Sequence, residues 1–290
     1  MDALHLLLAL TILLIFFVWI VRFIGNYYGL SAHRPEESSL VVKKWDKDVV
    51  YLVKYADNNY CINASPFCLK LEFFLRYHKI VYKPIEAKFL ALSSEGKKPF
   101  IEYNGRHYPD SDLIINFLVK EKKIKYNMTS EQKAISHLVQ RLCDKSMYIL
   151  NLYSKLEENM PMFAKLIKGN ASTPEWHLLF MRPMIYYFLW NRVNSDGTGG
   201  HTKSEVVELL QQDLDAAERI LGEKKFVAGE EASGGDFALF AHLMCAYYMP
   251  FTIPLRTIVD NRCPRLKAYM DRNHWNFFAD YLLHDNEKVV

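Results

Sequence analysis

Ser65-Pro66-Phe67-Cys68 stands between an apolar run, Val49 to Val53, and an amphipathic stretch, Leu69 to Tyr77. An apolar β-branched run followed by helical apolar spacing reads as a strand turning into a helix, and such a turn presents a ligand to a helix N-terminus. Ile80 to Glu86 alternates again, which gives strand, helix, strand. Lys98-Pro99-Phe100-Ile101 then introduces a further short strand. Phe100 to Tyr103, Asn104-Gly105 and Arg106 to Tyr108 read as a hairpin closed by the Asn-Gly turn that a two-residue connection prefers. Asp110-Ser111 opens an apolar helix, Asp112 to Val119. These elements make one small α/β unit, assigned to residues 47–120, and the turn at Ser65 is the expected seat of its chemistry.

Towards the C-terminus, Lys120 to Lys125 is a charged, solvated connection within a linker at 121–129. Beyond it the pattern is helical, assigned to residues 130–285. Thr129-Ser130-Glu131-Gln132 is a capping box leading an amphipathic run to about Leu156. Thr173-Pro174 signals the start of an aromatic helix, Trp176 to Trp190, with an expected kink at Pro183 and a buried or half-buried place in the core. Asn194 to Gly200 is a Gly-rich connection that lacks the Lys-Ser/Thr ending of a phosphate loop. Thr202-Lys203-Ser204-Glu205 caps a helix that Gly222 ends. Ser233-Gly234-Gly235-Asp236 precedes Phe237 to Tyr248, a helix almost without charge that must lie at the centre of the helical half, with Asp236 as its structural cap.

Towards the N-terminus, Leu4 to Val21 is nearly all apolar. About 20 helical residues at roughly 1.5 Å each cross a hydrocarbon layer of about 30 Å, so residues 1–24 are expected to anchor the chain in a membrane and 25–46 to form a linker. Arg22, Arg34, Lys43 and Lys44 follow the span and no Lys or Arg precedes it, which directs the folded part of a single-pass protein to the cytosol. The membrane is expected to be an endomembrane or an organelle surface. A net charge of +3 over 36 basic and 33 acidic residues gives no extended basic field, excluding nucleic acid as a partner. Five cysteines, Cys61, Cys68, Cys143, Cys245 and Cys263, are odd in number and scattered, as in a reducing compartment. No Cys or His pair has ligand spacing, so no metal site is expected.

A strand followed by a Ser-Pro-Phe turn, an X-Pro before the third strand, an acid-Ser pair before the next helix and a helical half with a Ser-x-x-Asp box together resemble the glutathione S-transferase fold over roughly residues 47 to 280. More narrowly, Ser65-Pro66-Phe67-Cys68-Leu69-Lys70-Leu71-Glu72, Asp110-Ser111, Asp236-Phe237-Ala238-Leu239-Phe240-Ala241-His242-Leu243 and Cys263-Pro264-Arg265-Leu266 resemble the failed axon connections and cadmium-responsive branch, relatives of the metaxins. The resemblance implies an α/β thioredoxin-like N-terminal domain joined to an all-α C-terminal domain, with glutathione as co-substrate. It implies that Ser65 is the catalytic position, its hydroxyl and the helix N-terminus favouring the glutathione thiolate. It further implies that the Lys98 backbone and a cis Pro99 hold the peptide portion, while Asp110 and Ser111 hold the γ-glutamyl end. Asp110 stands where the family commonly has Glu, and Ser65-x-x-Cys68 replaces the Cys-x-x-Cys of a disulfide reductase, with Cys68 read as a structural thiol. Two functions follow from the resemblance. One is a membrane-anchored transferase conjugating glutathione to apolar electrophiles in detoxification or the cadmium stress response; the other is a catalytically silent, metaxin-like adaptor at an organelle surface. A homodimer or a protein partner is compatible with both.

Overall fold

A computed structural model describes residues 5, 11–17, 40–58, 60–86, 93–168 and 176–281. Its sheet is built from Val50–Lys54 (β1), Tyr82–Glu86 (β2), Phe100–Tyr103 (β3) and Arg106–Pro109 (β4), in the order β2-β1-β3-β4. β1 is parallel to β2 and antiparallel to β3, and β3 is antiparallel to β4. A parallel pair needs a crossover, supplied by α1, Pro66–Tyr77. Between β3 and β4, Asn104 and Gly105 have φ of 48° and 75°, the left-handed pair a tight hairpin turn demands. Pro84 lies in β2, an edge strand, where a missing N–H is tolerated. The unit closes with α2, Ser111–Glu121, which packs on β3, β4 and α1.

The helical half comprises α3 (Ser130–Arg141), a π-turn at Leu142–Met147, α4 (Tyr148–Lys168), α5 (His177–Asp196), α6 (Lys203–Leu221), α7 (Gly234–Tyr247), α8 (Pro254–Arg262) and α9 (Pro264–Phe277). The capping boxes at Thr129, Thr202 and Ser233 are all formed, and Gly222 ends α6 with φ 53°. α7 buries every residue from Gly235 to Tyr247 and packs on α1 and α3, as a chargeless helix must. Gly235 permits that approach, because a Cβ there would fall 2.8 Å from the Ser136 carbonyl oxygen. Phe73 of α1 meets Phe237 and Phe240 of α7 at 5.2 and 4.8 Å, so sheet and helices share one hydrophobic core.

Several expectations are revised. The helix expected to end near Leu156 runs on to Lys168, broken at Asn159 (φ −157°, ψ 72°) just before Pro161, whose ring and missing N–H interrupt the ladder. α5 takes the half-buried place that was one of the two expected, with Leu178 and Ile185 buried and Leu179 and Tyr187 exposed; its expected cap, Thr173-Pro174, lies outside the described residues. Within the expected linker, Leu40 is buried and the Val41 and Val42 N–H groups donate to the Glu102 carboxylate at 2.7 and 2.9 Å. The expectation of a single-pass membrane anchor, and with it the location inferred for the folded part, is corrected: among the described residues no helix is long and apolar enough to cross a membrane. Of the expected span only His5 and residues 11–17 are described.

Candidate functional site

A cleft of about 620 Å³ lies where the sheet unit meets the helical half, and Ser65, Lys98, Pro99, Asp110 and Ser111 all line it. Two helix N-termini, those of α1 and α2, open onto it, so its floor offers backbone N–H groups and the positive ends of two helix dipoles. Ser65 is the N-cap of α1; its Oγ accepts from the Cys68 N–H at 3.5 Å, a long contact, while its own N–H donates to Asn63 Oδ1 at 3.0 Å. Cys68 is fully buried and burial pushes its thiol up to about 11, which makes it the structural thiol expected. The Lys98–Pro99 peptide is cis. Lys98 is buried, its Nζ lies 4.7 Å from the centre of the Tyr55 ring, and burial draws its ammonium down to about 8.

Asp110 caps α2, its Oδ1 accepting from the Asp112 and Leu113 N–H groups at 2.9 and 3.1 Å. Both bonds use one oxygen, and Oδ2 makes no hydrogen bond among the described residues. The residue has φ 66° and ψ 123°, a sparsely populated region that costs an L-residue about 1–3 kcal/mol and is found where surrounding structure imposes it. The side chain next to it, Ser111, is buried at the helix start.

Sequence reasoning did not find the polar network under this floor. Lys70 of α1 is 1% exposed, and its Nζ lies 2.6 Å from Asp112 Oδ1 and 2.6 Å from Asp144 Oδ2. His242 of α7 reaches Asp144 Oδ1 at 3.1 Å. Burial works to raise the Asp144 carboxyl, yet the bonds from His242 and Lys70 hold it below the ordinary carboxylate value. Phe67 seals the same junction, its ring 4.9 Å from Tyr148 and 5.6 Å from His242. A histidine within a buried helix whose only Asp, Glu, Lys or Arg is the Asp236 cap was the one legible signal, because a buried imidazole requires a partner. Tyr55, just past the end of β1, also lines the cleft, whereas Tyr60 packs beside the core away from it. The far wall comes from α4 and α5, with Ile149, Leu152, Phe163 and Leu189 among its apolar side chains, and Arg192 donating to Tyr148 Oη at 3.1 Å. Among the described residues no group of His, Cys, Asp and Glu is placed to hold a metal ion.

Residues 66–160 match the glutathione S-transferase N-terminal domain and residues 210–273 the glutathione S-transferase C-terminal domain. The chain is 28% identical over 250 residues to failed axon connections of Drosophila melanogaster, covering 82% of this chain but 60% of that protein, so it spans about three fifths of that relative's length. It is 24% identical over 197 residues to the isoprene-epoxide–glutathione S-transferase of Rhodococcus, covering 62% of this chain and 79% of that one. Among solved structures, a glutathione S-transferase from Methylobacterium radiotolerans in complex with glutathione sulfonate aligns with a TM-score of 0.53 at 14% identity, over 82% of this chain and 96% of that one. The β-etherase LigF of Sphingobium aligns at 0.55 and 12%, over 80% and 99%. At these identities the structural likeness is one of fold.

Proposed function

Because the chain belongs to the glutathione S-transferase-like superfamily, alongside failed axon connections, we propose that its cleft binds glutathione and delivers the thiolate to an apolar electrophile. The observation that carries this reading is the convergence of Ser65, cis Pro99 and the Asp110-Ser111 helix start on one cleft. The N-terminus of α2 suits the γ-glutamyl carboxylate and Asp110 Oδ2 its ammonium, so the shorter side chain both caps the helix and binds. The backbone of Lys98 pairs with the peptide portion. At the N-terminus of α1, the Ser65 hydroxyl and the helix dipole stabilise the thiolate over the thiol. The thiolate then forms a bond to the electrophilic carbon, whose leaving group departs with the electron pair, while the apolar wall of α4 and α5 shelters the partner.

Calorimetric titration of glutathione into the full chain tests this, beside Asp110→Asn, which keeps the helix cap but removes the charge, and Ser65→Ala. Saturable binding, weakened in Asp110→Asn, together with conjugation of an electrophile panel that disappears in Ser65→Ala, supports a transferase. Binding without conjugation of any electrophile favours a silent adaptor. A folded protein that takes up no glutathione refutes the reading.

A further inference from the structure

Lys155 and Asn151 lie one turn apart on α4, facing the cleft from its otherwise apolar wall. Each is 5% exposed. The Asn151 amide donates to the Met147 carbonyl oxygen at 2.9 Å, but its Oδ1 is buried with no hydrogen-bond partner. The Lys155 amine sits 5.5 Å from the centre of the Phe163 ring and makes no ion pair or hydrogen bond among the described residues. Its titratable neighbours are the thiols of Cys245 and Cys61 and the imidazole of His242, with no carboxylate acting on it. A buried acceptor without a partner, one turn from the amine of a side chain only 5% exposed and lining the same cavity, is a costly feature for a protein to retain without a ligand.

We infer that Lys155 Nζ and Asn151 Oδ1 form a subsite for an alcohol-type hydroxyl on the second, apolar substrate or its glutathione conjugate. The inference rests on the glutathione reading above. A hydroxyl is the small group that meets both demands, accepting from the Lys155 amine and donating to Asn151 Oδ1. A carboxylate has no proton for Oδ1, and an alkyl end satisfies neither partner. The surrounding Ile149, Leu152, Phe163 and Leu189 take the carbon skeleton. The pair thus distinguishes oxygenated from plain hydrocarbon electrophiles.

The test uses S-alkylglutathiones of increasing chain length, each ending either in a hydroxyl or in a methyl group, titrated into the full chain, Lys155→Met and Asn151→Leu. At one chain length the hydroxyl form is expected to bind about tenfold tighter to the wild type, the worth of a hydrogen bond to a buried polar group. That preference falls to about twofold or less in both variants, while unsubstituted glutathione binds all three alike. If the wild type prefers the hydroxyl form at no length yet binds the conjugates, the subsite is refuted and the glutathione site stands. If neither glutathione nor any conjugate binds the folded wild type, both readings fall. The wild-type comparison decides the matter even if a variant does not fold.

Discussion

Lys70→Met removes the cation that joins three elements beneath the cleft. In the native protein its Nζ bridges Asp112 at the start of α2 and Asp144 in the π-turn, each at 2.6 Å, with the amine 1% exposed. Methionine fills a similar volume, so the loss is chiefly electrostatic. Asp144, whose side chain is 4% exposed, retains His242 alone as a partner. Stranding one member of a buried ion pair costs about 3–5 kcal/mol. Asp112, 24% exposed on its side chain, adds little because solvent reaches it. Urea denaturation followed by circular dichroism reads the loss as a lower midpoint at unchanged slope. The double variant Lys70→Met/Asp144→Asn removes the stranded charge as well, and is expected to regain more than half of the loss. A single variant that loses less than about 1 kcal/mol, or a double variant no better than the single, would refute the assignment of Asp144 as a buried charge dependent on Lys70.

His78 gives the protein an acid limit: burial holds its imidazole down to about 4 from 6.5, so between those values the unfolded chain binds the proton that the folded one refuses. Stability therefore falls as pH drops through that window, by less than the shift alone would give because solvent reaches the ring, and His78→Asn is expected to flatten the acid limb of a denaturation midpoint plotted against pH. Asp236 accepts from the Val227 and Ser233 N–H groups at 2.8 and 3.0 Å in a fully buried setting. Asp236→Ala orphans both donors and should cost about 3 kcal/mol in a thermal melt, and a change below about 1 kcal/mol would count against its role as the cap of α7. Cys68, buried and with its thiol pushed up to about 11, should resist a thiol reagent at neutral pH in the native protein and react fully once denaturant is added; rapid native labelling would contradict the burial.

The sequence by itself determined those elements whose causes are local. The left-handed pair Asn104-Gly105 sets the β3–β4 hairpin, Thr129, Thr202 and Ser233 bond donors within a few residues of themselves, and Pro66 opens a helix at its first position. Ser65, Lys98-Pro99 and Asp110-Ser111 were picked out as a set by resemblance to the glutathione S-transferase fold, and tertiary structure added that these residues share one cleft. Sequence alone could not place charges. Lys70 and Glu72 are charged residues in a stretch read only as amphipathic, yet α7 covers α1 and both are buried. Lys70 is satisfied by carboxylates 42 and 74 residues away in the chain, separations that no periodicity registers. Hydropathy likewise suggested an anchor from apolar composition, and left open whether α5 is buried or half-buried, which depends on what packs against it. The Lys155–Asn151 pair belongs to the same class: a helix pattern gives the spacing of two polar side chains, but only tertiary packing places both on the cleft and leaves Asn151 Oδ1 buried without a partner, since desolvation is a property of the surroundings and not of the residue.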